Sequence, residues 1–313
     1  MLCLYLILGA LLLTAAFLMN RDLPREKIIE RHRSPQSRFI TLPGGAHVHY
    51  QDQGNPDGPI IILIHGFMAS LFDFDKWQPF LEKDFRVVRL DMSGMGLTGS
   101  YPSIDHSLAG RARFIKEFMD AIQVERAHVV GHSLGGATAW VFALMYPETT
   151  ASLTLIAAAG FDQSSEPRLK PLGFRLAETP LIRLMVRYTG SRSLVRQALS
   201  QLVNDPAVID EQWVDRAYEM SRMADNRASI LALRPFTPPY DALETLSEIK
   251  AATLIMWGQN DYLIPLRHAH LFKNHIQHAT LVTYPDVGHY PQIEQAEHSA
   301  RQLRHFIINT MES

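Results

Sequence analysis

Short apolar runs recur at residues 60–64, 86–90, 128–130, 152–156 and 253–257, separated by longer stretches with helical spacing of apolar positions. Continuous apolar runs of this length read as strands buried on both faces, and the stretches between them as helices that cover the faces. The alternation predicts a mostly parallel sheet between two helix layers, an α/β fold. Residues 38–41 and 47–51 flank the turn sequence Pro43-Gly44-Gly45, so an antiparallel hairpin opens the sheet. Asn55-Pro56-Asp57-Gly58-Pro59 then turns the chain into the first buried run.

The pattern changes at two places. Between 162 and 239 no strand-like run occurs, and helical patterns are separated by Pro167, Pro171, Pro180 and Pro206. This predicts a helical cap (162–239) inserted into a core made of 38–161 and 240–313. From 166 to 200 the cap carries Arg168, Lys170, Arg175, Arg183, Arg187, Arg192 and Arg196 against Glu166 and Glu178. A solvated basic face explains that stripe, and a lid resting on anionic lipid is the alternative. At the other place, residues 1–19 contain no charged side chain and as a helix would span about 28 Å, one hydrocarbon core. They read as a membrane segment followed by a linker, 20–37. Thr14-Ala15-Ala16 is a weak cleavage signal, which favours an uncleaved anchor over a signal peptide that would leave the protein secreted. Arg21, Arg25, Lys27, Arg31 and Arg33 are mixed with Asp22, Glu26 and Glu30, so the side of the membrane stays open.

Composition narrows the classes of function. The 313 residues are 47% hydrophobic and 20% charged with net charge −2, which excludes a disordered chain and gives no field that would draw nucleic acid. Cys3 is the only cysteine, so no intramolecular disulfide, redox dithiol or thiolate metal cluster can form. His268, His270, His275 and His278 follow Pro265; their spacing suits a solvated helix better than a metal site. No dinucleotide fingerprint or phosphate-cradling loop is present, and neither cofactor nor metal is expected. Phe72, Phe74 and Trp77 read as core, with one or two of them available to line a pocket.

The candidate chemistry starts at Gly131-His132-Ser133-Leu134-Gly135, which follows a buried strand and opens a helix. A sharp strand-to-helix turn projects a serine hydroxyl above the sheet, as a nucleophile requires. Reacting groups in such sheets gather at the carboxyl ends of strands. After 254–257 comes Gly258-Gln259-Asn260-Asp261, and after the short run 281–282 comes Asp286-Val287-Gly288-His289. The order Ser133, Asp261, His289 suits a nucleophile, an orienting acid and a general base. Asp162, at the end of another strand, is the rival acid. Two backbone donors are expected for a developing oxyanion: Leu134 N–H, directly after the serine, and Phe67 N–H in His65-Gly66-Phe67-Met68-Ala69-Ser70. His65 is assigned to holding that loop.

With these motifs the chain resembles the α/β-hydrolase superfamily, in its cap-bearing esterase, lipase and C–C hydrolase branch. The resemblance rests on His65-Gly66-Phe67, on 91–99 and 131–136, on Trp257-Gly258-Gln259-Asn260-Asp261 and on Gly288-His289, and it spans 38–307. Met92-Ser93 departs from the Leu-Pro more common there, in a loop that is structural among members. Ser133 argues against the members that use an aspartate nucleophile. The resemblance implies cofactor-free cleavage of carboxylic esters, small or lipid-like, through an acyl-enzyme. C–C hydrolysis of vinylogous diketones or acyl transfer to an alcohol would use the same triad. From a different class comes a membrane-tethered binding module with idle catalytic residues. Oligomeric state is not legible.

Overall fold

In a computed structural model of the chain, residues 22–101, 103, 105–161, 191–232 and 242–312 are described. Strands β1 (Arg38–Thr41), β2 (His47–Gly54), β3 (Ile60–Ile64), β4 (Arg86–Leu90), β5 (Ala127–His132), β6 (Thr150–Ile156), β7 (Thr253–Gly258) and β8 (Ala279–Tyr284) form one sheet. Its order is β1-β2-β4-β3-β5-β6-β7-β8; the β1–β2 and β2–β4 pairings are antiparallel and the others parallel.

Alternation within the buried strands splits the core into two layers. Ile62, Ile64 and Val129 pack on one face with Phe118, Trp140 and Phe142, while Ile61, Leu63 and Val130 pack on the other with Trp77, Phe85 and Leu303. The first layer is closed by helices Leu108–Ala121 and Leu134–Met145, the second by helix Ala296–Glu312 and the 3-10 segment Leu71–Trp77. Phe74 and Trp77 are wholly buried, whereas Phe72 lies against a cavity.

Strand β8 extends well beyond the short apolar run at 281–282. It sits at the sheet edge, where partial exposure of four of its six positions relaxes the demand for apolar residues. Helix Arg267–His275 departs from the expected solvated helix. His268 is 2% exposed and meets Phe161 edge-on, and burial pushes its imidazole down to about 4. The helix ends at His275, leaving His278 in the following turn. No metal-binding cluster occurs among the described residues.

Between β6 and β7 the described residues form helices Arg192–Ser200, Glu211–Ser221, Ala224–Ala232 and Ala242–Leu246, with a 3-10 turn at Pro206–Val208. Of the basic stripe, Arg192 pairs with Glu211 and Asp215 and Arg196 with Glu211, so these two charges are balanced locally. Asp162 and the basic residues from Arg168 to Arg187 lie outside the described residues, as does the apolar segment 1–19. Among the described residues no helix is long and apolar enough to cross a membrane. The stretch expected as a linker contains helix Arg25–His32, which buries Ile28 against Leu71, Phe72 and Met220. Arg31 and His32 both reach Glu219, and Arg25 donates to Leu97 O at 2.7 Å, fastening this helix to the cap and core.

Candidate active site

Strand β5 delivers Ser133 into a backbone conformation of φ 53° and ψ −115°, a strained region for any residue but glycine. The turn tolerates it because close packing leaves no alternative path. Ser133 N donates to Ile156 O at 2.9 Å, and its carbonyl accepts from Ala137 N and Ala159 N at 3.0 Å each. A Cβ on Gly131 would lie 2.2 Å from Gly135 O, and one on Gly135 would lie 2.2 Å from Ile64 O. Both positions therefore require glycine, and they press the elbow against the end of β3.

Beyond β3, His65 sets the loop. Met92 N donates to His65 Nε2 at 2.9 Å, so the ring proton sits on Nδ1, which donates to Gly66 O at 2.7 Å. Burial lowers the His65 pKa, keeping the ring neutral in this role. In a trans peptide the carbonyl and N–H point oppositely, so Phe67 N–H is turned away from His65. Gly66 lies beside the elbow: a Cβ there would be 3.2 Å from Ser133 Cβ. Among the described residues, neither Phe67 N–H nor Leu134 N–H donates a hydrogen bond. Leu134 opens helix Leu134–Met145, whose N-terminal dipole favours negative charge.

Asp261 and His289 come together from the ends of β7 and β8. His289 Nδ1 donates to Asp261 Oδ2 at 2.7 Å, while Asp261 Oδ1 accepts from Leu263 N and Ile264 N at 2.9 Å each. The carboxylate is thus held at both oxygens, and the histidine keeps its Nε2 lone pair free of the pairing. His289 N donates to Leu202 O at 2.7 Å, and His289 O accepts from His132 Nε2 at 2.8 Å. The His132 and His289 rings are 4.7 Å apart, which places the imidazole against the residue preceding Ser133. No hydrogen bond joins Ser133 to His289 among the described residues.

Two residues in this arrangement were not anticipated. His132 Nε2 carries the proton it donates to the His289 carbonyl, and burial lowers the pKa of this ring well below the ordinary histidine value. Glu294 accepts from Gly288 N at 2.9 Å and Tyr290 N at 3.3 Å with one oxygen, and from Asn204 N at 2.6 Å with the other. It bridges the histidine loop to the cap. Burial raises its pKa against the pull of those N–H groups. His132 lies inside the serine pentapeptide and could have been flagged there; Glu294 has no sequence signal.

A separate Ser-His-Asp chain lies across β2. His49 Nδ1 donates to Asp91 Oδ2 at 2.7 Å and its Nε2 meets Ser37 Oγ at 2.7 Å. Asp91 also accepts from Leu71 N and Leu97 N, and His49 is wholly buried, so this chain fastens loops together.

The profile described as alpha/beta hydrolase fold matches residues 59–296. A 2-hydroxy-6-oxononadienedioate/2-hydroxy-6-oxononatrienedioate hydrolase of Comamonas testosteroni is 28% identical over 291 residues, covering 90% of this chain and 99% of that protein. Lipase 1 of Psychrobacter immobilis is 25% identical, covering 90% of this chain and 88% of the lipase. Among solved structures, a meta-cleavage product hydrolase of Pseudomonas fluorescens IP01 superposes with a TM-score of 0.74 at 26% identity, covering 87% of this chain and 97% of that one.

Proposed function

The chain belongs to the alpha/beta hydrolase family and is a hydrolase, and we propose that within it the protein is a serine hydrolase of uncharged carboxylic esters. The observation that carries this reading is the Asp261–His289 pair at 2.7 Å, packed against the strained Ser133 elbow. With Nδ1–H fixed on Asp261, His289 Nε2 is the atom able to take a proton.

Ser133 Oγ attacks the ester carbonyl carbon as its proton passes to His289 Nε2. The carbonyl oxygen becomes an oxyanion, held by Phe67 N–H and Leu134 N–H. Collapse breaks the carbon–oxygen bond, and the imidazolium proton leaves with the alcohol. Water then repeats the sequence: it loses a proton to His289, attacks the acyl carbon, and releases the acid while Ser133 regains its hydrogen. The Ser133–His289 hydrogen bond forms as substrate seats, in keeping with the looser geometry of unliganded sites.

Carbon–carbon cleavage is the second reading, favoured by the Comamonas and Pseudomonas relatives. Against it stands the cavity beside the site, whose charged groups, Asp75 and Asp210 against Lys76 and Arg216, offset one another. A wall with no net positive charge suits an uncharged ester better than a dienedioate anion. Acyl transfer would show itself as a preference for alcohol over water. The test is a panel of aryl esters of increasing chain length and a ring-fission diketone, run on the wild type and Ser133→Ala. Ester turnover that vanishes in Ser133→Ala is expected; selective diketone cleavage would move the assignment to the second reading. The chain is also proposed to be membrane-anchored by residues 1–19, on the strength of their uncharged length. Release of the full-length protein from membranes by alkaline carbonate would refute that.

A further inference from the structure

A cavity of about 150 Å³ lies behind the oxyanion loop. It is walled by the 3-10 segment Leu71–Trp77 on the sheet side, by helix Glu211–Ser221 on the cap side, and by Tyr290 beside His289. An apolar void of this size accommodates a benzene-sized group. It is lined by Met68, Ala69 and Ser70, which follow Phe67 in the oxyanion loop, and by Tyr290, which follows His289, so it adjoins the site. Phe72, Leu199, Trp213 and Met220 make most of the wall apolar.

Asp73 interrupts that wall. It is 5% exposed, and its Oδ2 has no hydrogen-bond partner. A buried orphan oxygen in a native interior is destabilising unless something occupies it. The cation that could have paired with it is engaged elsewhere: Arg216 Nη1 donates to Asp75 Oδ2 at 3.0 Å, and its guanidinium lies 3.8 Å over the Phe72 ring. Asp75 is further held by Arg89 Nη1 at 2.8 Å. Burial, with the Asp75 and Asp91 charges behind it, raises the Asp73 carboxyl to about 8, and Arg216 only partly opposes this. At neutral pH the group is a hydrogen-bond donor in a mostly apolar wall.

We propose that Asp73 is a specificity-determining residue, whose buried, unpartnered carboxyl donates a hydrogen bond to an acceptor oxygen on an uncharged, benzene-sized arm of the substrate seated in this cavity. The proposal rests on the hydrolase reading of the neighbouring site only for the word substrate. An anionic arm would give up its water in a cavity whose charges, Asp75 and Asp210 against Lys76 and Arg216, offset one another and leave no net cation to receive it; a neutral ketone, ether or ester oxygen gives up far less. The charged and titratable groups around Asp73 and its cavity are Asp75, Lys76 and Asp91 from the sheet side, Asp210 and Arg216 from the helix across the cavity and the residue before it, and Tyr290 from the histidine loop. Burial, with Asp73 and Asp261 adding to it, raises the Tyr290 phenol well above its ordinary range, so it stays protonated where Asp73 titrates.

The experiment measures binding by calorimetry on the full chain carrying Ser133→Ala, with acetophenone as the neutral acceptor, cumene as its counterpart without one, and benzoate as the anion. A ligand that binds only the protonated form loses affinity in proportion to the fraction protonated, so acetophenone affinity falls about thirtyfold between pH 6.5 and 9.5. Cumene affinity stays level. Asp73→Asn keeps a donor and abolishes the pH dependence; Asp73→Leu removes the preference for acetophenone over cumene. A level acetophenone profile in the Asp73 protein, tight acetophenone binding to Asp73→Leu, benzoate binding as tight as acetophenone, or no acetophenone binding at all would each overturn the proposal. Ser133 is absent throughout, so failure of the serine hydrolase reading is a separate result.

Discussion

Replacing Asp261 with asparagine should silence the enzyme without unfolding it, and the reason lies in the side chain's two faces. Oδ1 accepts from Leu263 N and Ile264 N, and Oδ2 accepts from His289 Nδ1. An amide can satisfy the two backbone donors only with its oxygen, so its NH2 must face the imidazole. Two donors cannot face each other, and His289 must move its proton to Nε2 to present Nδ1 as an acceptor. The ring then has no lone pair for the Ser133 proton. The comparable substitution in a serine protease lowers kcat about 10⁴-fold, or about 5.5 kcal/mol on the barrier. Since the Oδ1 bonds survive, the stability loss should be about 1 kcal/mol. The assay is kcat on an aryl ester from pH 6 to 10, beside a urea unfolding curve. A folded Asp261→Asn protein within tenfold of wild-type kcat would refute the tautomer argument.

Two further predictions concern stability. Gly135→Ala places a methyl 2.2 Å from Ile64 O and 2.4 Å from His65 O, both backbone atoms, so overpacking should destabilise by about 3 kcal/mol; a urea midpoint equal to wild type would contradict the packing. For Asp73, the folded carboxyl holds its proton up to about 8 while the unfolded one releases it near 3.8. The native state therefore binds the extra proton across that window, and stability falls by up to about 1.4 kcal/mol per pH unit as pH rises through it. Asp73→Asn lacks this loss, so its advantage in Tm should be small at pH 4.5 and widen toward pH 8. A constant Tm difference would show that the carboxyl is not held un-ionised.

Much of this architecture is legible in the sequence because burial on both faces forces strands such as β3 and β7 to be continuously apolar, and because the elbow at Ser133 demands glycines on either side. Edge strand β8 is less visible, since one flank needs no partner and Thr280 can stand exposed. His268 misled for the opposite reason: neighbouring exposed residues on its helix suggest water, yet its own position faces Phe161. Asp73 and Glu294 carry no motif at all. Their character comes from what tertiary packing brings around them, two carboxylates and an arginine in one case and four backbone N–H groups in the other. A carboxyl's protonation state is a property of its surroundings, which a linear chain does not display.

The most direct measurement is peptide mapping after reaction of the intact, folded protein with a fluorophosphonate. The account predicts one phosphonyl group, on Ser133 Oγ, with loss of ester turnover in proportion to labelling and no adduct in Ser133→Ala. An adduct on another residue, or an unlabelled Ser133 in protein that still hydrolyses esters, would contradict it.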